Sequence, residues 1–297
     1  MQKFPVRAAF SFNRAVAIFA TAGILCHGAC AAPDAAPDSA WTPLFNGKDL
    51  TGWYTIVAHG AKNDDTNHLI QVDDGMIHVY ESAEDGSKQP FGYVITEKEY
   101  SDYDLHFQYK WGTKKFKPRN GPKSRRDAGC LVNVVGEDGV WPTSVECQVM
   151  EDDTGDIFTV HSRIATTVDP ATTNVVTTIR TNATTHVIQT NSAVEPVFME
   201  ASAGGVPFVQ GDPGPSKRIR HGAKYDTRDG WNDVEVIVRG NTATFIVNGH
   251  VNNRLTDLEQ MVDGKWVPLT KGKILFQAEG SEVLYRNIEI KPLDSKF

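Results

Sequence analysis

Val234-Glu235-Val236-Ile237-Val238-Arg239, then Thr244-Phe245-Ile246-Val247 and Asn248-Gly249, is the stretch that decides the fold. Residues two apart on a strand share a face, so Val234, Val236 and Val238 present one apolar face. The second run enters an Asn-Gly pair, a strong hairpin signal. The same pattern recurs along the chain. Met76–Tyr80, Tyr93–Thr96, Asp104–Trp111, Gly129–Val135, Ser144–Met150, Trp231–Arg239, Thr242–Val247, Lys273–Gln277 and Val283–Ile290 are short runs rich in β-branched and aromatic residues between turn signals. Only Thr256–Met261 has helical periodicity, for a turn or two. Nine or more short strands with almost no helix predict an all-β fold, a jelly-roll sandwich of two antiparallel sheets.

The 297 residues suffice for one large β domain. The N-terminus stands apart. Lys3, Arg7 and Arg14 precede an uncharged apolar run from Ala15 to Cys26, and Ala29-Cys30-Ala31 is a small-residue cleavage signal. Residues 1–32 therefore read as a secretory signal peptide, too short in its apolar run for a membrane span. Residues 33–40, repeats of Ala, Pro and Asp, read as a linker, and residues 41–293 as a single domain. Export to the periplasm or exterior follows, with no transmembrane segment after cleavage. Cys30 could carry lipid, but His27 stands where a lipobox has a small aliphatic residue. Losing residues 1–32 removes three basic residues and no acidic one, taking the formal charge from −7 to −10. Such a surface argues against nucleic-acid partners. The basic cluster Lys114–Arg126 reads as a solvated loop. Cys130 and Cys147 remain in the mature chain, either bridged across adjacent strands or as two buried thiols.

The chemistry concentrates in Glu146-Cys147-Gln148-Val149-Met150-Glu151-Asp152-Asp153-Thr154-Gly155-Asp156. Buried carboxylates are costly unless paired, so this segment reads as one wall of a polar cleft. Glu146 and Gln148 share a face, with Cys147 and Val149 in the core. Glu151 joins that face only through a β-bulge. Asp153 and Asp156, in the acidic Gly turn, are candidates for the cleft rim, for sugar hydroxyls or for a divalent metal. Gln277 and Glu279 share a strand end suited to vicinal hydroxyls. Asn133 is polar in an apolar strand. Trp141, in a turn beside the acidic strand, is a stacking platform. Residues 166–190 suggest a polar strand pair, and Gly204–Lys224, rich in Gly and Pro, a long loop or lid.

With a bulge, E-x-Q-x-x-E resembles the E-x-D-x-x-E of retaining jelly-roll glucanases, but Gln148 replaces the central Asp. A larger resemblance follows. Leu44-Phe45-Asn46-Gly47-Lys48-Asp49-Leu50-Thr51-Gly52-Trp53, Val72–Ile77, Thr96–Leu105, Glu146–Asp156, Gly272–Gly280 and Tyr285–Ile290 occur in the order of the 3-keto-disaccharide hydrolase domain family. That resemblance implies a concanavalin A-like jelly roll, bacterial export, and action on a glycoside substrate oxidised at C3. The C3 ketone acidifies H2, so a base can remove it and expel the aglycone, with water adding afterwards. Glu146 would be the base, Gln148 and Gln277 would hold hydroxyls or the carbonyl, and Glu151 or Glu279 would be the acid. The route requires no cofactor, and a divalent metal could assist it. Two positions depart from the family: Asn133 stands where a basic residue or His is common, and Glu279 where a His-Gly pair is. A non-catalytic lectin-like module and a conventional retaining endo-β-glucanase are the alternatives.

Overall fold

The computed structural model describes residues 40–58, 60–180, 183–189, 195–211 and 217–294. The expected signal peptide, Cys30 and residues 33–39 of the linker lie outside them. Residues Ser39–Phe297 form one compact unit.

The alternating runs become two antiparallel sheets. The larger has eleven strands. At its centre Asn232–Arg239 pairs with Thr242–Val247 on one side and Tyr103–Lys115 on the other. Tyr103–Lys115 pairs in turn with Ser281–Pro292. The smaller sheet carries the site. Its seven strands lie in the order Lys217–Ile219, Ile157–Val160, Thr143–Met150, Asp127–Val135, Lys273–Ala278, Gly92–Thr96 and Trp53–Val57. The sandwich is the all-β, two-sheet jelly roll that the strand pattern predicts.

The core lies between the sheets. Val234, Val236, Val238, Phe107 and Tyr285 from the larger sheet meet Cys130, Cys147, Val149 and Phe276 from the smaller. Phe276 packs 4.9 Å from Phe107 and 4.8 Å from Tyr285, ring centre to ring centre. Each such fully buried side chain contributes about 1.5–3 kcal/mol. Cys130 and Cys147 face each other in register, both buried as free thiols. A second apolar cluster, including Tyr54, Tyr93, Leu131 and Leu275, covers part of the opposite face of the smaller sheet.

Two expectations about local structure change, and a third holds. Thr256–Met261 is not a helix: it belongs to the strand His250–Val262, which pairs with three others, including Ser162–Val168. Sheet pairing overrides a weak local periodicity. Gly204–Lys224 is not simply a loop or lid, because Val206–Gly211 pairs with Ser162–Val168 and Lys217–Ile219 pairs with Ile157–Val160; residues 212–216, with the Pro-Gly centre, lie outside the described residues. The expected pair within 166–190 exists as a two-stranded hairpin of Asn174–Arg180 with Ala183–Gln189.

Candidate active site

Parity places the key residues as read from the sequence. In Thr143–Met150, Cys147 and Val149 enter the core, while Glu146 and Gln148 project from the opposite face. Gly129 lies opposite Gln148 on the neighbouring strand. A side chain there would not fit: a Cβ on Gly129 would come within 2.2 Å of both Glu146 Oε1 and Gln277 Oε1. Glycine thus lets these two oxygens close over the backbone, side by side. Gln277 is itself buried, and neither of its amide atoms has a partner among the described residues. Leaving such a group unsatisfied costs about 1–3 kcal/mol, and Gln277 lies beneath the residues that line the cleft, not among them.

A cleft of about 600 Å³ opens beside these residues, large enough for a two-ring ligand. Its charged wall is Glu146, Asp127, Glu279 and Arg119. Glu279 ends the strand Lys273–Ala278 at a tight turn, where Gly280 N donates to Tyr80 Oη (3.2 Å) and Gly280 O accepts from Phe116 N (2.9 Å). That second bond ties the turn to the loop carrying Arg119, whose guanidinium pairs with both Asp127 and Glu279 and lies 5.5 Å from the Phe91 ring centre. Trp141, Met150, Phe158, Val160 and His161 form the other wall.

Electrostatics separate the two cleft glutamates from ordinary surface acids. Burial pushes the Glu146 carboxyl well above the usual carboxylate range, and Glu279 nearby pushes it further, against the pull of Arg119. Burial also raises Glu279, to about 7, although its contact with Arg119 opposes the rise. Two carboxyls in one water-poor cleft cannot both ionise freely. The direct Arg119 contact favours negative charge on Glu279 and leaves the proton on Glu146.

The other expected site residues divide. Trp141 lines the cleft and is 39 % exposed. Glu151 does not join Glu146: the strand ends at Met150 with no bulge between the two residues, and the register shift with Asp127–Val135 falls at the far end, between Val132 and Val135. Glu151 is instead bound by Arg126, through its guanidinium (2.7 Å) and its backbone N–H (2.8 Å). Burial raises its carboxyl, but those hydrogen bonds outweigh burial and lower it. Asn133 sits at the register shift with φ 51°, fully buried, and its Nδ2 donates to Leu269 O at 3.0 Å. It shapes the backbone and does not reach the cleft.

Asp153 and Asp156 are buried in the turn and do not line this cleft, although Asp153 borders an adjoining hollow with Arg119, Asp127 and Met150. The turn folds back, with Gln148 N donating to Asp156 O (3.0 Å) and Gly155 N to Gln148 O (2.8 Å). Asn252, from the other sheet, donates to Thr154 O at 2.7 Å. Gly155, at φ 90°, leaves room for that Asn252 side chain. Arg218 bridges both carboxylates, at 2.7 Å to Asp153 and 2.5 Å to Asp156, and His221 also binds Asp156. Asp153, Asp156 and His221 are the one group of metal-capable donors clustered within 4.8 Å among the described residues. Arg218 already occupies both carboxylates, so the donor set reads as an internally neutralised ion-pair network and not as a metal cage.

Sequence reasoning missed Arg119, Asp127, Phe158 and His161. The basic stretch read as a solvated loop is a set of clamps: Arg119 on Glu279, Arg125 on Asp153 and Arg126 on Glu151. Alternating loop arginines and carboxylates of the acidic segment offered a signal for pairing, but spacing alone could not show which acid each would reach.

The fold and site define a two-sheet β-sandwich protein with a ligand-sized cleft built around paired carboxyls on one sheet. The chain belongs to the 3-keto-alpha-glucoside-1,2-lyase-like domain family, whose sequence profile matches residues 40–291, as the ordered motifs implied. A carbohydrate-active role follows from that membership. No curated protein matches the chain. Among solved structures, a provisionally named glycosyl hydrolase from Parabacteroides distasonis is 20 % identical, with 86 % of this chain and 94 % of that one covered and a TM-score of 0.46. A carbohydrate-binding module from Bacillus subtilis is 8 % identical, with 82 % and 97 % covered and a TM-score of 0.43. A β-glucanase from Bacillus licheniformis is 12 % identical, with 86 % and 98 % covered and a TM-score of 0.41. No helix among the described residues is long and apolar enough to cross a membrane.

Proposed function

We propose that the cleft cleaves 3-keto-glycosides by elimination across C1–C2 followed by hydration. The observation that carries this reading is the buried pair Glu146 and Glu279 in one cleft, of which only Glu279 is in contact with Arg119. One carboxylate can then take H2 while the other, still protonated, serves the leaving oxygen. Glu279 is the base and Glu146 the acid, the reverse of the assignment that strand position alone suggests. The C2–H electron pair forms the C1=C2 bond, the aglycone oxygen leaves C1 with its bonding pair, and Glu146 supplies the proton. Charge developing at the C3 oxygen is met by Arg119, a donor already in place before reaction. Water then adds across C1=C2 of the enone, its oxygen to C1 and a proton to C2, so the net result is glycoside hydrolysis with the C3 ketone kept. These steps use side chains alone; we expect activity to survive chelation of divalent ions.

A retaining glucanase built on Glu146 and Glu151 loses support, because Arg126 holds Glu151 outside the cleft. On the pattern of residues 1–32, we place the reaction in the periplasm or outside the cell.

The test is incubation with a 3-keto-glycoside and with its unoxidised parent. Cleavage of the oxidised form alone is expected. Cleavage of the parent would move the protein to the glucanases, and binding without cleavage to the lectin-like modules.

A further inference from the structure

The cleft is divided across the sheet. Glu146 stands on the strand Thr143–Met150; the carboxylates and Arg119 lie toward Asp127–Val135 and Lys273–Ala278, whereas Phe158 and Val160 belong to Ile157–Val160 on the opposite side. Phe158 is the register partner of Glu146, so the two side chains stand side by side on one face. Met150 ends the Glu146 strand, and Trp141 overhangs from the preceding turn. Trp141 is one of only four exposed large apolar residues among those described. Gln148, between Glu146 and Met150 on the same strand face, also lines the cleft, and its side-chain oxygen turns back to its own chain, accepting from Val149 N at 3.1 Å.

We infer that this second wall is an aglycone subsite for a flat apolar group, such as an arylalkyl or other aromatic alcohol, and not for a second sugar. The inference rests on the reaction proposed above, which puts the scissile oxygen at Glu146. With the oxidised ring on the charged wall, the leaving group lies over Phe158, Val160, Met150 and Trp141. A sugar placed there would bring several hydroxyls against a wall that meets them only with His161 and with the Gln148 amide, whose oxygen is already engaged. Each hydroxyl losing water without a partner is penalised. An aromatic ring has no such debt and gains offset or edge contacts with Phe158 and Trp141.

The test compares 3-keto-glucosides of one anomeric configuration with methyl, 2-phenylethyl and glucosyl leaving groups; the first two alcohols have similar acidity, and the sugar hydroxyl is more acidic, so leaving-group ability alone favours the glucosyl substrate. The expected order in kcat/KM puts 2-phenylethyl at least tenfold above glucosyl. Phe158→Ala should cut the preference for 2-phenylethyl over methyl about tenfold, while Phe158→Leu should retain most of it; melting temperatures check that both variants fold. Equal or better use of the glucosyl substrate, or an unchanged preference in Phe158→Ala, overturns the subsite. If no 3-keto-glucoside is cleaved, the proposed reaction fails, and calorimetric binding of unoxidised 2-phenylethyl glucoside against a disaccharide decides the subsite alone. Tighter arylalkyl binding that is lost in Phe158→Ala upholds it, and tighter disaccharide binding rejects it.

Discussion

Two acidic regions lie a few residues apart in this chain and have opposite fates. In the turn, Asp152, Asp153 and Asp156 are each met by cations: Lys224 and Arg228 on the first, Arg125 and Arg218 on the second, and Arg218 on the third, which His221 also binds. In the cleft, Glu146, Glu279 and Asp127 share one guanidinium, and Glu146 has no direct contact with it. Hydrogen bonds from Arg228, then Lys224, hold the Asp152 carboxyl below the usual range, while burial drives Glu146 and Glu279 above it. Carboxylates with a full complement of cations stabilise; carboxyls short of cations keep a proton to exchange.

The widest separation is expected from neutral substitutions on the two sides. Glu279→Gln or Glu146→Gln should lower turnover of a 3-keto-glycoside by about 10²–10⁴-fold, the range of general acid–base catalysis. Thermal melting of Glu146→Gln should stay at or above wild type, since it removes a buried carboxyl with no cation in contact. Asp156→Asn should do the reverse and lose about 3–5 kcal/mol of stability in denaturant titration, because it leaves Arg218 short of a buried partner. A stable Asp156→Asn protein that is inactive would erase the distinction.

Arg119→Met probes the shared cation. It should lower turnover by about 10²–10³-fold. In wild type, activity should rise with pH through about 7 as Glu279 gives up its proton. Arg119 pulls that value down, so the rising limb of the pH–rate profile should move to higher pH in the variant; an unmoved limb would break the assignment of Glu279 as base.

Stability should vary with pH in opposite senses in the two regions. Glu279 binds its proton more tightly folded than unfolded. Its contribution is therefore complete below about 4.5 and is lost as pH rises toward about 7. Glu279→Gln should flatten that decline in melting temperature. Asp152, lowered in the folded state, contributes above the ordinary carboxylate range and loses its contribution as pH falls below it. The smallest effect is expected at Asn133→Ala, where loss of the bond to Leu269 should cost about 1 kcal/mol in denaturant titration and leave the pH–rate profile in place.

The sequence by itself determined the sandwich, because alternation with period two needs no distant partner: Val234, Val236 and Val238 had to face inward, and Cys147 had to oppose Glu146. For the same reason Glu146 and Gln148 could be placed on one face, and the ordered motifs carried the family. Tertiary structure decided the site. Arg119 reaches Glu279 across 160 positions of chain, a pairing that no local spacing encodes. Glu151 fell to Arg126 because the strand stops at Met150 and the chain turns. Thr256–Met261 became strand because its neighbours supplied backbone partners. Which carboxyl keeps its proton depends on burial and on which cation arrives, and both exist only once the two sheets have closed.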